Sequence, residues 1–138
     1  MSALDYQLYH AFLPPLVGRK SFITLATNSI KLHIDENKKS GIYLWIDPPW
    51  VFGKGKVLIE SSESCPHYRT PDYRHLFSDW VARFSPVSAS EIVQIRAKPS
   101  GRLSIRFRDS YKLIAPASFD EHGEPSWYDH WYYADATA

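Results

Sequence analysis

Cys65, His67 and His75 form the densest run of soft and borderline metal donors in this chain. Zinc would suit them, but a closed structural site wants four ligands and three are present, so the expectation is a surface loop with a buried thiol. His10, His33, His122 and His130 are scattered, and none has a Ser or Cys at motif spacing to act as its nucleophile. No catalytic constellation emerges, and no metal or cofactor is expected. A second chemistry lies in Arg96, Lys98, Arg102, Arg106, Arg108 and Lys112. On extended backbone, Arg102, Ser104, Arg106 and Arg108 share the face opposite Leu103, Ile105 and Phe107, and such a face could receive phosphates. A solvated strand face whose charges meet acids of the same molecule is the preferred reading, because sheets normally leave one face polar. The third candidate is the closing segment, 117–138, where Asp120, Glu121, Glu124, Asp129 and Asp135 are mixed with Trp127, Trp131, Tyr132 and Tyr133. Trp and Tyr dominate interface hot spots, and acids engage a partner's Lys and Arg, so these nine residues are the candidate partner-binding set. Rings that complete the core would give the same composition. Both roles can coexist, with Trp127 inward and Trp131 to Tyr133 outward.

The elements that must position these groups follow from hydrophobic periodicity. Leu4, Leu8 and Phe12 fall one turn apart after a Ser2–Asp5 capping pattern, and Pro14-Pro15 ends this first helix. Ser21–Ala26, a turn at Asn28-Ser29, and Ile30, Leu32 and Ile34 alternating with polar residues predict a hairpin. Ile42–Ile46 is a further strand that Asp47-Pro48-Pro49 must terminate, and Lys56–Ser61 is another. Tyr73, Leu76, Phe77, Trp80, Val81 and Phe84 form one apolar helical stripe behind Thr70-Pro71-Asp72, with Thr70 as cap and Pro71 in the first turn. Strands are then predicted at Ile92–Ala97, Arg102–Phe107 and Tyr111–Ile114, the last two joined through Asp109-Ser110. The hairpins around Ile23–Ile34 and Val93–Phe107 resemble one another, as a duplication or simple alternation would make them; duplicated halves would join over the helix. The fold class is α+β: a mainly antiparallel sheet, strongly curved or split in two, with one central amphipathic helix.

A chain of 138 residues is the size of one domain, taken as 1–138. The lone Cys65 cannot form an internal bridge, and Met1–Phe12 shows neither a signal peptide nor a spanning stretch, so the expected location is cytoplasmic. Residues 1–116 carry all sixteen Lys and Arg against ten acids, a net of +6, whereas the remainder carries five acids and no cation. The near-neutral total gives no whole-molecule field toward a membrane or a nucleic acid, which argues against direct binding of either.

Two resemblances bear on function. Asp47-Pro48-Pro49-Trp50 resembles the D-P-P-W loop of amino-group adenine methyltransferases, in which the acid and proline carbonyls hold the target amine and the aromatic stacks on the base. Those enzymes need a parallel, doubly wound sheet and a glycine-bearing cofactor loop, and Gly53-Lys54-Gly55 is too short for one. The preferred reading is therefore a strand end turned by Asp-Pro-Pro, with Trp50 capping the core. The whole-chain pattern is similar to small, single-domain bacterial immunity proteins of polymorphic or contact-dependent toxin systems. Leu16-Val17-Gly18, Leu44-Trp45-Ile46, Gly101–Asp109 and Glu124–Trp127 carry that similarity. It implies a cytosolic, non-enzymatic toxin inhibitor, an antitoxin acting by protein–protein interaction on a cognate toxin with a basic active-site surface. A nucleic-acid-acting enzyme and a phage- or host-encoded regulatory binder are the alternatives.

Overall fold

The computed structural model describes residues 11–35, 41–117, 119, 121–124 and 130–135. Nine strands form one sheet: β1 (Lys20–Ala26), β2 (Ser29–Ile34), β3 (Ile42–Ile46), β4 (Val51–Lys54), β5 (Val57–Ser61), β6 (Ser90–Ala97), β7 (Leu103–Phe107), β8 (Tyr111–Ala115) and β9 (Trp131–Asp135). Their order is β5-β4-β8-β7-β6-β1-β2-β3-β9, every pairing is antiparallel, and one α-helix lying wholly among the described residues, α1 (Tyr73–Ala82), accompanies them. The fold is α+β, as the periodicity predicts. Leu4 and Leu8 of the expected first helix lie outside the described residues; Ala11 and Phe12 are helical, and a tight turn at Pro14–Leu16 follows.

The sheet is strongly bent. Strands lie about 4.8 Å apart, so β9 and β6, four steps apart in the order, would be separated by roughly 19 Å if the sheet were flat. Yet the indole of Trp131 on β9 donates to the carbonyl of Gly101, in the β6–β7 turn, at 2.8 Å. The pairing of β1 with β6 is short, with only Lys20 and Glu91, and Ser21 and Ser90, in register, and β6 carries a bulge between Ile92 and Gln94. The two meanders, β1-β2-β3 and β6-β7-β8, thus meet edge to edge through their first strands and close over a single core. Duplicated halves would join over the helix; these meanders join instead at the β1–β6 seam. Each meander also receives a strand that follows the other in sequence: β4 pairs with β8, and β9 with β3.

Alternation places Ile30, Leu32, Leu44, Ile46, Leu103, Ile105, Phe107 and Leu113 inside. Helix α1 covers the inner side of β4 through a chain of rings. Phe77 meets Trp80; Trp80 meets Trp50 and Phe84; Phe84 meets Phe52, with centroids 4.9–6.0 Å apart. The helix starts later than the Thr70 cap predicts. Thr70 is held in a turn by its own N–H to the His67 carbonyl, and Asp72 stands at the N-cap with φ 62° and no side-chain cap bond. Leu76, expected on the apolar stripe, is exposed; the covered line runs through Tyr73, Phe77, Trp80 and Phe84. The first hairpin turns one residue early, at Thr27-Asn28, since Ala26 pairs with Ser29. Gly53 sits at a β4–β5 bulge, where a Cβ would lie 2.4 Å from the Val57 carbonyl oxygen, so the register there requires glycine.

Candidate functional site

The outward side of β1-β2-β3-β9 is built by the same alternation that fills the core. Leu44 points inward, so Tyr43 and Trp45 point outward, and pairing puts Trp45 opposite Tyr132 and Tyr43 opposite Ala134. The three rings form one group: Trp45 and Tyr132 lie nearly parallel at 6.5 Å, and Tyr43 meets Tyr132 edge-on at 6.2 Å. Lys31, from β2, places its ammonium 4.4 Å from the Tyr43 ring centroid, a contact that holds the ring while leaving a positive charge beside it. On the same outer face His33, in register with Tyr43, is buried, with its Nε2 3.0 Å from Thr24 Oγ1. Tyr132 is 37% exposed, and Tyr43 and Trp45 are half-buried.

The Asp47 loop braces this ring group. Asp47 Oδ1 accepts from the Trp45 indole at 2.8 Å and from Ser29 Oγ at 2.7 Å, and its backbone N–H donates to the His130 carbonyl. His130 is buried, and its Nε2 donates to the Pro49 carbonyl at 2.8 Å, which ties the start of β9 to the loop. Trp50 is 1% exposed and donates its indole N–H to the Asn28 carbonyl at 2.8 Å. In a base-binding D-P-P-W loop the acid, the proline carbonyl and the ring would face the target. Here Asp47 Oδ1 is taken by Trp45 and Ser29, the Pro49 carbonyl by His130, and Trp50 is packed into the core, as a turned strand end requires.

The candidate partner-binding residues separate. Asp120, Trp127 and Asp129 lie outside the described residues. Glu121 and Glu124 are exposed, Glu121 beside His122 at 3.4 Å. Trp131, expected outward, is buried at 1% exposure. It pairs with Ile46, an inward position, so strand alternation sends it into the core and Tyr132 out. Tyr133, also expected outward, is again on the inner side: it is half-buried and stacks on Phe12 at 4.9 Å. Burial, then the charge of Asp135, pushes the Tyr133 phenol up from its ordinary value. Asp135 ends the strand near Arg19, whose guanidinium is held above its ordinary value chiefly by its hydrogen bond to Asp35. One member of the set, Tyr132, therefore joins the outer ring group. Tyr43 and Trp45 were missing from the set, although the alternation Tyr43-Leu44-Trp45 could have found them. Compared with known proteins, the chain matches no family model, no curated protein and no solved structure.

The cations of the second meander form a separate surface. Arg106 lies directly opposite Lys112 on β8 and beside Gln94 on β6, and Arg96 lies opposite Ser104. Arg108 pairs with Glu91 at 3.0 Å. Among the described residues no acid pairs with Arg96, Arg102, Arg106 or Lys112; Asp120 and Asp129 of the acidic tail expected from the sequence to meet them lie outside the described residues. Sequence inspection also missed Glu60. Its buried carboxylate accepts from the Trp80 indole at 3.1 Å, from Arg83 Nε at 3.0 Å and from Ser64 Oγ, a closed set of partners that anchors the helix to β5.

Cys65, His67 and His75 do not converge, and no group of metal-binding side chains occurs among the described residues. His67 Nδ1 accepts from the Arg69 N–H at 3.2 Å, and His75 pairs with Asp79 along the helix at 3.3 Å. Cys65 lines a cavity of about 270 Å³ with Thr27, Asn28, His67, Tyr68 and Tyr73. Burial pushes its thiol up from the ordinary value. The linked stability is complete below the unfolded thiol pKa and is lost as pH rises through the raised one. At pH 8 the folded chain should react with an aromatic disulfide reagent several-fold more slowly than the denatured chain. Equal rates would show that the thiol is neither shielded nor shifted.

Proposed function

We propose that this chain is a non-enzymatic cytoplasmic binding protein of the immunity type, which neutralises a cognate toxin by covering its basic active-site surface. The observation that carries this reading is the outer ring group of Tyr43, Trp45 and Tyr132. Rings of this kind supply large contact area at small conformational cost, and here the Trp45 indole is held by Asp47, itself fixed by Ser29. The exposed acids Glu121 and Glu124 precede the same strand and would draw a Lys- and Arg-lined groove toward it. A nuclease active site, shaped to receive phosphates, has that charge.

Truncation after Ala117 would be a poor probe of this interface, because it removes the buried Trp131 along with the acids. Point variants of the full chain avoid the difficulty. In a surface-binding kinetic assay against the proposed cognate toxin, Trp45→Ala with Tyr132→Ala should weaken binding by about 100-fold, mostly through faster dissociation. Glu121→Gln with Glu124→Gln should slow association and flatten its salt dependence. Unchanged affinity in the ring variant, with the fold intact, would remove this face as the interface.

A further inference from the structure

The edge of the sheet farthest from the ring group is β5. Its outer backbone edge has no strand partner among the described residues, and Val57 and Leu58 are 66% and 63% exposed. An unpaired, apolar edge is a template for another strand. Proteins usually blunt such edges with charge inside the strand, but Val57-Leu58-Ile59 carries none, and the one acid of β5, Glu60, is turned into the core. Beside this edge lies a groove of about 190 Å³, floored by Gly53, walled by Val51, Leu58 and Ile114 and rimmed by Lys56 and Lys112. The wall is aliphatic, and the rim is cationic.

Charge continues across the same outward face. Lys112 stands directly opposite Arg106, a like-charge pair that costs stability unless an anion lies between, and Arg96 is one strand further on. No acid among the described residues answers these three cations. A nucleic-acid strand would satisfy the cations but offers little to an aliphatic groove or to the unpaired β5 backbone edge. A polypeptide meets all three features together: main-chain groups for the β5 edge, an apolar side chain for the groove and carboxylates for the rim.

We infer that β5 and its groove form a second docking surface, which takes an acidic, strand-forming protein segment by β-addition, with aliphatic side chains laid beside Leu58 toward the groove and acids on its rim lysines, Lys56 and Lys112. This surface lies at the other end of the strand order from the ring group and is independent of it.

Selection of a displayed random-peptide library on the immobilised full chain tests this. The enriched peptides should alternate acids with aliphatic residues. Their affinity should fall at least tenfold on Leu58→Asp and on Lys56→Glu with Lys112→Glu, and should be unchanged on Trp45→Ala with Tyr132→Ala. The charge-reversal variant alters surface groups only, so it keeps the test open if Leu58→Asp fails to fold. Absence of enrichment, enrichment that survives both β5-side variants, or tighter binding of mixed-sequence single-stranded or duplex DNA than of the best peptide would overturn the inference.

Discussion

Replacing Trp80 by alanine should lower stability by about 3–5 kcal/mol, measured as a fall in the chemical-denaturation midpoint with little change in slope. The indole is 4% exposed and sits between Phe77, Phe84 and Trp50. Truncation would leave a cavity against three rings that cannot all collapse into it. It would also remove the indole N–H from Glu60, a buried carboxylate that would keep only Arg83 and Ser64. Trp80→Phe separates the two contributions, because it retains most of the ring volume and loses the donor; it should cost less than half as much. An unchanged midpoint for Trp80→Ala would mean that the helix does not pack where its stripe places it.

Trp131→Ala should be nearly as damaging, again by about 3–5 kcal/mol, whereas Tyr132→Ala, one residue away, should cost about 1 kcal/mol or less. The contrast follows from strand geometry. Trp131 lies inside against Ile46 and reaches across the bend to the Gly101 carbonyl, so it fastens the last strand to the opposite meander. Tyr132 lies outside on Trp45. Denaturation of the two variants side by side checks this, and equal losses would contradict the assigned register of β9.

Much of the sheet could be read from the chain because its strands alternate cleanly. Ile30-Lys31-Leu32 and Leu103-Ser104-Ile105-Arg106-Phe107 contrast apolar with polar at every step, and they fold with those faces. The last strand escaped for a physical reason. In Trp131-Tyr132-Tyr133 every residue is aromatic, so no contrast of polarity marks which ring faces in, and the inward placement of Trp131 is set by pairing with β3. Strand β4 was equally hidden: Val51-Phe52-Gly53-Lys54 is short, follows two prolines and contains a glycine, all of which read as loop. The outward rings Tyr43 and Trp45 were visible as strand residues but not as a site. Their significance depends on Tyr132 arriving beside them from 87 residues further along the chain than Trp45, a non-local pairing that no window of sequence contains. The cations around Arg106 belong to the same class, since whether acids meet them is decided by topology.

The most direct measurement of the proposed function is growth rescue. Cells producing the proposed cognate toxin should recover when the chain is supplied, and should fail to recover with Trp45→Ala and Tyr132→Ala, provided the variant accumulates to the same level and stays folded at the growth temperature. No rescue by the unaltered chain, or full rescue by the ring variant, would contradict the account.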